Sequence, residues 1–148
     1  MTMIDAALPL APAASGLRFR RWQGVEDIAG MAVANATLRR RVGVLEPIDV
    51  EVMHHAYTHL VNSDPATDCI LAERNGITLG YARVEWHDLT DGDRTFDVIA
   101  IVDPSAWGLD IAEAFMRWGE VRAHQLAREH PSDRTTHLAG YAFQGDAE

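Results

Sequence analysis

The run Ile99–Trp118, IAIVDPSAWGLDIAEAFMRW, constrains this chain more than any other stretch. It reads as a buried strand, a short turn after Asp103-Pro104, and a long amphipathic helix whose N-terminus points at the strand's end. Such a junction concentrates unpaired backbone N–H groups and the positive end of the helix dipole, which together make an anion site. The turn itself carries one glycine, Gly108, and neither Arg nor Lys. It has the shape of a phosphate cradle without the side chains that strengthen one.

The chain has 148 residues, enough for one domain with a real core. A net charge of −9 argues against a nucleic-acid partner, which would need a basic face. All 13 cations are Arg, so lysine chemistry, including Schiff bases and the P-loop lysine, is excluded. The single cysteine, Cys69, forbids an internal disulfide and opens an apolar run, so a packed thiol in a reducing, cytoplasmic setting is expected. No apolar stretch approaches spanning length, and no membrane partner is expected. Residues 1–16 are rich in Ala and Pro and lack the basic start of a signal peptide, which reads as a disordered leader before a domain at 17–148.

Leu17–Trp22 alternates as a half-buried strand does. Val25, Ile28, Met31, Ala32 and Leu38 suit a first helix. A second helix opens at Pro47-Ile48-Asp49, with Asp49 as N-cap and Val52, Met53, Ala56, Tyr57 and Leu60 at helical spacing. Strands follow at 69–74 and 77–86 around Asn75-Gly76, a strong hairpin signal, with Gly80 at a candidate bulge. A third run covers 95–102, the long helix follows Pro104, and a last strand covers Thr136–Phe143. The order is β-α-α-β-β-β-α-β, a mixed α/β class in which the long helix links two parallel strands.

That order resembles the GNAT N-acetyltransferase superfamily over residues 17–148, most closely the N-terminal half of bacterial tandem-GNAT proteins. The residues that carry the resemblance are Arg18-Phe-Arg-Arg-Trp22, Tyr57–Pro65, Gly80-Tyr-Ala-Arg-Val-Glu-Trp86 and Arg117-Trp-Gly-Glu120. It implies transfer of an acetyl group from acetyl-CoA to an amine. It also implies that Ile101 and Val102 hold the pantetheine and that the turn Trp107, Gly108, Leu109, Asp110, Ile111, Ala112 faces the pyrophosphate. The family pattern there is Arg/Gln-x-x-Gly-x-Gly/Ala. Ala112 fits it, whereas Trp107 replaces the cation or amide and Asp110 replaces the central glycine. A carboxylate about 4 Å from a phosphate costs about 4 kcal/mol at an effective dielectric near 20, so weakened coenzyme binding is expected.

The resemblance implies a strand carboxylate as base, usually acting through water, and Glu85 and Asp97 are the candidates. The general-acid tyrosine of the family lies on a helix after the fifth strand, beyond this sequence, and Tyr141 lies in the strand itself. The usual C-terminal helix and hairpin are also missing, which leaves strand 136–143 to be covered by a homodimer partner or a second GNAT domain. The alternative function is a catalytically degenerate domain with a structural, dimerising or regulatory role.

Other groups have plainer readings. Glu51, His55 and His59 share a helix face without an evident fourth ligand, so a solvated face and no metal are expected. Arg39-Arg40-Arg41 suits a helix C-terminus, with a coenzyme phosphate as the alternative contact. Trp86, Trp107 and Trp118 suit core or interface, with Trp107 the most exposed.

Overall fold

The computed structural model describes residues 7–10, 16–44, 46, 48–131 and 133–142. Five strands, β1 (Leu17–Arg21), β2 (Cys69–Arg74), β3 (Ile77–Asp88), β4 (Arg94–Val102) and β5 (Thr136–Ala142), form one sheet in chain order. The first four are antiparallel and β5 runs parallel to β4. Four helices accompany them: α1 (Ile28–Arg41), α2 (Val50–Thr58), the single turn α3 (Pro65–Asp68) and α4 (Ile111–Glu129).

Local chemistry sets these bounds. Asn75 and Gly76 take φ of 51° and 79°, both positive as a tight two-residue hairpin requires. Asp49 Oδ1 accepts from Glu51 N at 2.8 Å and caps α2, as its sequence position predicts. Gly43, at φ 85°, ends α1 while Val44 N donates back to Arg39 O at 2.8 Å. Arg20 grips Asp27 through two bonds of 2.7 and 3.1 Å, tying β1 to the turn before α1.

Helices cover both faces of the sheet. On one face, Phe19, Ile70, Val84 and Val98 pack against Phe115 and Trp118 of α4. On the other, Leu71 and Tyr81 pack against Ile28 and Met31 of α1 and Met53 and Tyr57 of α2. Gly119 lets α4 settle on β4, since a Cβ there would stand 2.2 Å from Val98 Cγ1. Arg122, at the buried centre of α4, donates to Asp68 Oδ1 at 2.7 Å and anchors the helix to the α3–β2 junction.

The helical stripes are narrower than the apolar spacing predicts. Val25 and Val121 are exposed, and Val52 and Ala56 face outward from α2. Leu138 and Tyr141 are exposed on β5, and among the described residues no strand pairs with its outer edge. Within the leader, Leu8 packs against the α4-side core; the rest of it, apart from 7–10 and Gly16, lies outside the described residues, as does Phe143. Among the described residues no helix is long and apolar enough to cross a membrane.

Candidate functional site

Period-two geometry places Tyr81, Arg83, Glu85 and His87 of β3 on one face, opposite Ile101, Ile99, Asp97 and Thr95 of β4. These pairs form a ladder on the α1–α2 side, with rungs about 7 Å apart. Its upper two rungs floor an open cleft of about 590 Å³ walled by α1 and α2, whose polar lining includes Asn35, Arg39, Tyr57 and Asp49. Val52 and Ala56, outward on α2, belong to that wall. The wide apolar stripe of α2 is thus divided between core and cleft.

The two sequence-predicted carboxylates share the third rung, Glu85 directly across from Asp97. Glu85 Oε2 accepts from Arg83 Nη1 at 2.7 Å, and Asp97 Oδ1 accepts from Thr95 Oγ1 at 2.9 Å. His87 Nε2 stands 3.3 Å from Glu85 and 3.9 Å from Asp97. Burial alone would raise the Glu85 carboxyl, but Arg83, with His87, outweighs it and holds the group below the usual carboxylate range. Glu85 therefore stays anionic. Glu85, His87 and Asp97 also offer three ligand atoms within 4.8 Å of one another, close enough to approach a single cation.

At the top of the ladder, Tyr81 is buried, and its hydroxyl accepts from Asn35 Nδ2 at 2.7 Å. Asn35 Oδ1 in turn accepts from Arg39 Nε at 3.1 Å. Burial pushes the Tyr81 phenol up to about 12, so it keeps its proton at neutral pH. Arg83 lies over the Tyr57 ring, 5.5 Å from its centroid. Cys69 sits beneath this face, fully buried, its thiol pushed up to about 12 by burial; it is the packed thiol that its sequence context predicts.

Beyond the strand's end, Pro104–Leu109 forms a short 3-10 turn that leads into α4. Asp103 opens it by accepting from Ser105 N at 2.9 Å. Asp110 adopts φ 58°, ψ 23°, the left-handed conformation that suits the glycine it replaces. Its carboxylate makes no capping bond. Ala114 N is the first α4 amide to bond back, to Asp110 O at 3.2 Å, so the preceding amides have no intrahelical acceptor. Gly108 opens to free space, since a Cβ there would meet nothing within 4 Å. Ile111 is buried, while Leu109 and Ala112 are half-buried.

Ile101 faces the cleft, while Val102 is buried on the α4 side and does not line it. Trp107 is half-buried against the core, less exposed than its turn position predicts, with an unpartnered indole N–H. The Arg41 guanidinium lies 5.5 Å from the Trp107 ring centroid. A cation absent from the turn in sequence is therefore present beside it in space, supplied by the end of α1. Of the three arginines read as helix-end charges, Arg39 lines the cleft, Arg41 covers Trp107, and Arg40 bonds to Thr37 Oγ1 at 3.5 Å.

Sequence reasoning missed Tyr81, Arg83 and Asn35. The alternation Tyr81-x-Arg83-x-Glu85 carried the signal for the first two, because every second residue of a strand shares a face. Nothing local marks Asn35. The His55 and His59 rings lie 4.2 Å apart, tilted by 30°, at the exposed C-terminal end of α2.

No protein-family model matches the sequence, and no curated protein matches it. Solved structures match the fold. A GCN5-related N-acetyltransferase from Sphaerobacter thermophilus aligns with TM-score 0.68 and 19% identity over 87% of this chain and 39% of its own. A putative acetyltransferase from Salmonella typhimurium, solved with acetyl-CoA, gives 0.61 and 15% over 76% of this chain and 66% of its own. A GNAT acetyltransferase from Brucella melitensis, in complex with acetyl-CoA, gives 0.58 and 16% over 74% and 70%. The chain thus spans well under half of the Sphaerobacter protein and about two thirds of the Salmonella one. The five-stranded mixed sheet, with α1 and α2 on one face and α4 on the other, is the fold of the GNAT N-acetyltransferases.

Proposed function

We propose that this chain is an acetyl-CoA-dependent N-acetyltransferase domain that moves an acetyl group to a small amine held in the cleft. The observation that carries this reading is the junction of cleft and helix. The cleft floor ends at Ile101, and the chain then passes through the Pro104–Leu109 turn into a left-handed Asp110 and the free amides of α4. Open space over Gly108 and the nearby Arg41 fit a pyrophosphate, and the Asp110 carboxylate opposes it.

In this reading the pantetheine follows the backbone of Ile101 and Val102, and residues 107–112 face the pyrophosphate. The acetyl group reaches inward towards Ile99. The Glu85–Asp97 rung lies one further step along, about 7 Å away, a span that water bridges. These carboxylates take the proton of the acceptor ammonium through that water, freeing the nitrogen lone pair for attack.

The competing reading is a degenerate domain with a structural, dimerising or regulatory role, and the uncapped Asp110 carboxylate is the observation that favours it. In either case, the reading has a second copy or a second GNAT domain covering the edge of β5 that no described strand pairs with. A thiol-release assay with acetyl-CoA and a panel of primary amines separates the two. Amine-dependent release supports the transferase. Acetyl-CoA binding without release, or no binding, supports the degenerate domain.

A further inference from the structure

We propose that the cleft selects an amine that also bears a carboxylate, an amino acid in the broad sense, and that Arg39 binds this second group. The inference rests on the acetyltransferase reading above and names the class of its acceptor. Three charged residues line the cleft: Arg39, Arg83 and Asp49. Two of them are already engaged. Arg83 Nη1 donates to Glu85 Oε2 at 2.7 Å, and Asp49 Oδ1 accepts from Glu51 N at 2.8 Å at the start of α2.

Arg39 has no such partner. Its Nε donates to Asn35 Oδ1 at 3.1 Å, and among the described residues no carboxylate pairs with it. Its two terminal nitrogens bond to no described group and are open to solvent rather than buried. Asn35 is itself fixed, donating to the Tyr81 hydroxyl at 2.7 Å. That relay holds the base of the guanidinium against the cleft wall without neutralising its charge. A half-buried cation tied only to an amide offers a planar fork of donors to a carboxylate that arrives with a ligand. Ile48, Val52, Ala56 and Ile99 add apolar surface for the hydrocarbon part of the same molecule.

A coenzyme phosphate is the poorer match for this cation. Residues two apart on a helix do not face the same way. Arg41 lies over Trp107 beside the turn, whereas Arg39 lines the cleft. The reacting nitrogen, in the reading above, lies near Ile99 beside the Glu85–Asp97 rung. The Arg39 relay meets the sheet at Tyr81, one rung away from Ile99, or about 7 Å. That spacing suits one small molecule with an amine at one end and an anion at the other.

The test compares two acids with the amines left when their carboxylates are removed: leucine with isoamylamine, and δ-aminovalerate with butylamine. Acetyl-CoA is the donor, and thiol release gives kcat/KM. For at least one pair the acid is expected to exceed its amine by about tenfold or more, and Arg39→Gln is expected to bring that ratio within about twofold of unity. Arg39→Lys, which keeps the charge and loses the fork, is expected to retain part of the preference. The calorimetric Kd for acetyl-CoA is expected to be the same in all three proteins. Equal or better use of both neutral amines, or a preference that survives Arg39→Gln, overturns the assignment. A raised Kd for acetyl-CoA in Arg39→Gln also overturns it, in favour of a coenzyme phosphate. If neither acids nor amines release thiol, the transferase reading fails, and calorimetric titration with the two acids tests the cleft by itself. Binding of either acid that Arg39→Gln abolishes supports the carboxylate site. No binding, or equal binding by both proteins, overturns it.

Discussion

Asp97 on β4 stands directly across from Glu85 on β3, and His87 Nε2 reaches both, at 3.9 and 3.3 Å. Arg83 anchors Glu85, whereas Asp97 accepts from the Thr95 hydroxyl and has no arginine on it. Asp97→Asn is therefore expected to lower kcat about 100-fold, with the Kd for acetyl-CoA unchanged. Glu85→Gln, which also frees Arg83, is expected to lower kcat and raise the acceptor KM together. Steady-state kinetics on both variants checks the split.

The turn before α4 makes opposite predictions for two charges. Asp110→Gly removes an anion from the amides and a side chain from a left-handed position. Acetyl-CoA is expected to bind at least about tenfold tighter, a gain of roughly 1.4 kcal/mol. Arg41→Ala removes the cation over Trp107 and is expected to weaken binding by a similar factor, with the difference shrinking at high salt. Calorimetry at two ionic strengths checks both.

The Arg122–Asp68 pair lies in the core, with side chains only 2% and 6% exposed. Removing one partner strands the other's charge, so Arg122→Met is expected to cost about 3–5 kcal/mol. Urea unfolding measures it, and replacing both partners with apolar residues should restore part of the loss.

Gly119 faces Val98 with no room for a methyl group. Gly119→Ala is expected to push α4 off β4 at a cost of about 1–3 kcal/mol. Pairing it with Val98→Ala should recover much of the melting temperature.

Glu73 gives the fold a pH dependence. Arg20, assisted by Arg18, holds its carboxyl below the ordinary value of 4.5, against the raising effect of burial. A depressed carboxylate contributes stability above its unfolded value and loses it as pH falls through the folded one. The melting temperature is expected to fall as pH drops below about 4.5, and less steeply in Glu73→Gln.

The strand order, the hairpin at Asn75-Gly76, the Asp49 cap and the long helix were legible because each rests on local chemistry or strict periodicity. Glu85 and Asp97 were legible as strand carboxylates, but their pairing depends on β3–β4 register, which no local signal encodes. Arg41 and Asn35 were hidden for the same reason: their partners, Trp107 and Tyr81, lie 66 and 46 residues away in the chain. Asp110 reads in sequence as a lost glycine, and its backbone takes the left-handed region open to glycine, which Asp tolerates better than most residues.

Calorimetric titration of the chain with acetyl-CoA, beside Gly108→Trp, tests the proposed coenzyme site most directly. Gly108 has open space around it and no positive φ, so an indole there is expected to fill the proposed pyrophosphate site without disturbing the fold. The expected result is micromolar binding to the unaltered chain, abolished by Gly108→Trp with its melting temperature intact. No heat at millimolar acetyl-CoA, or equal binding by both proteins, would contradict a coenzyme seated on residues 107–112.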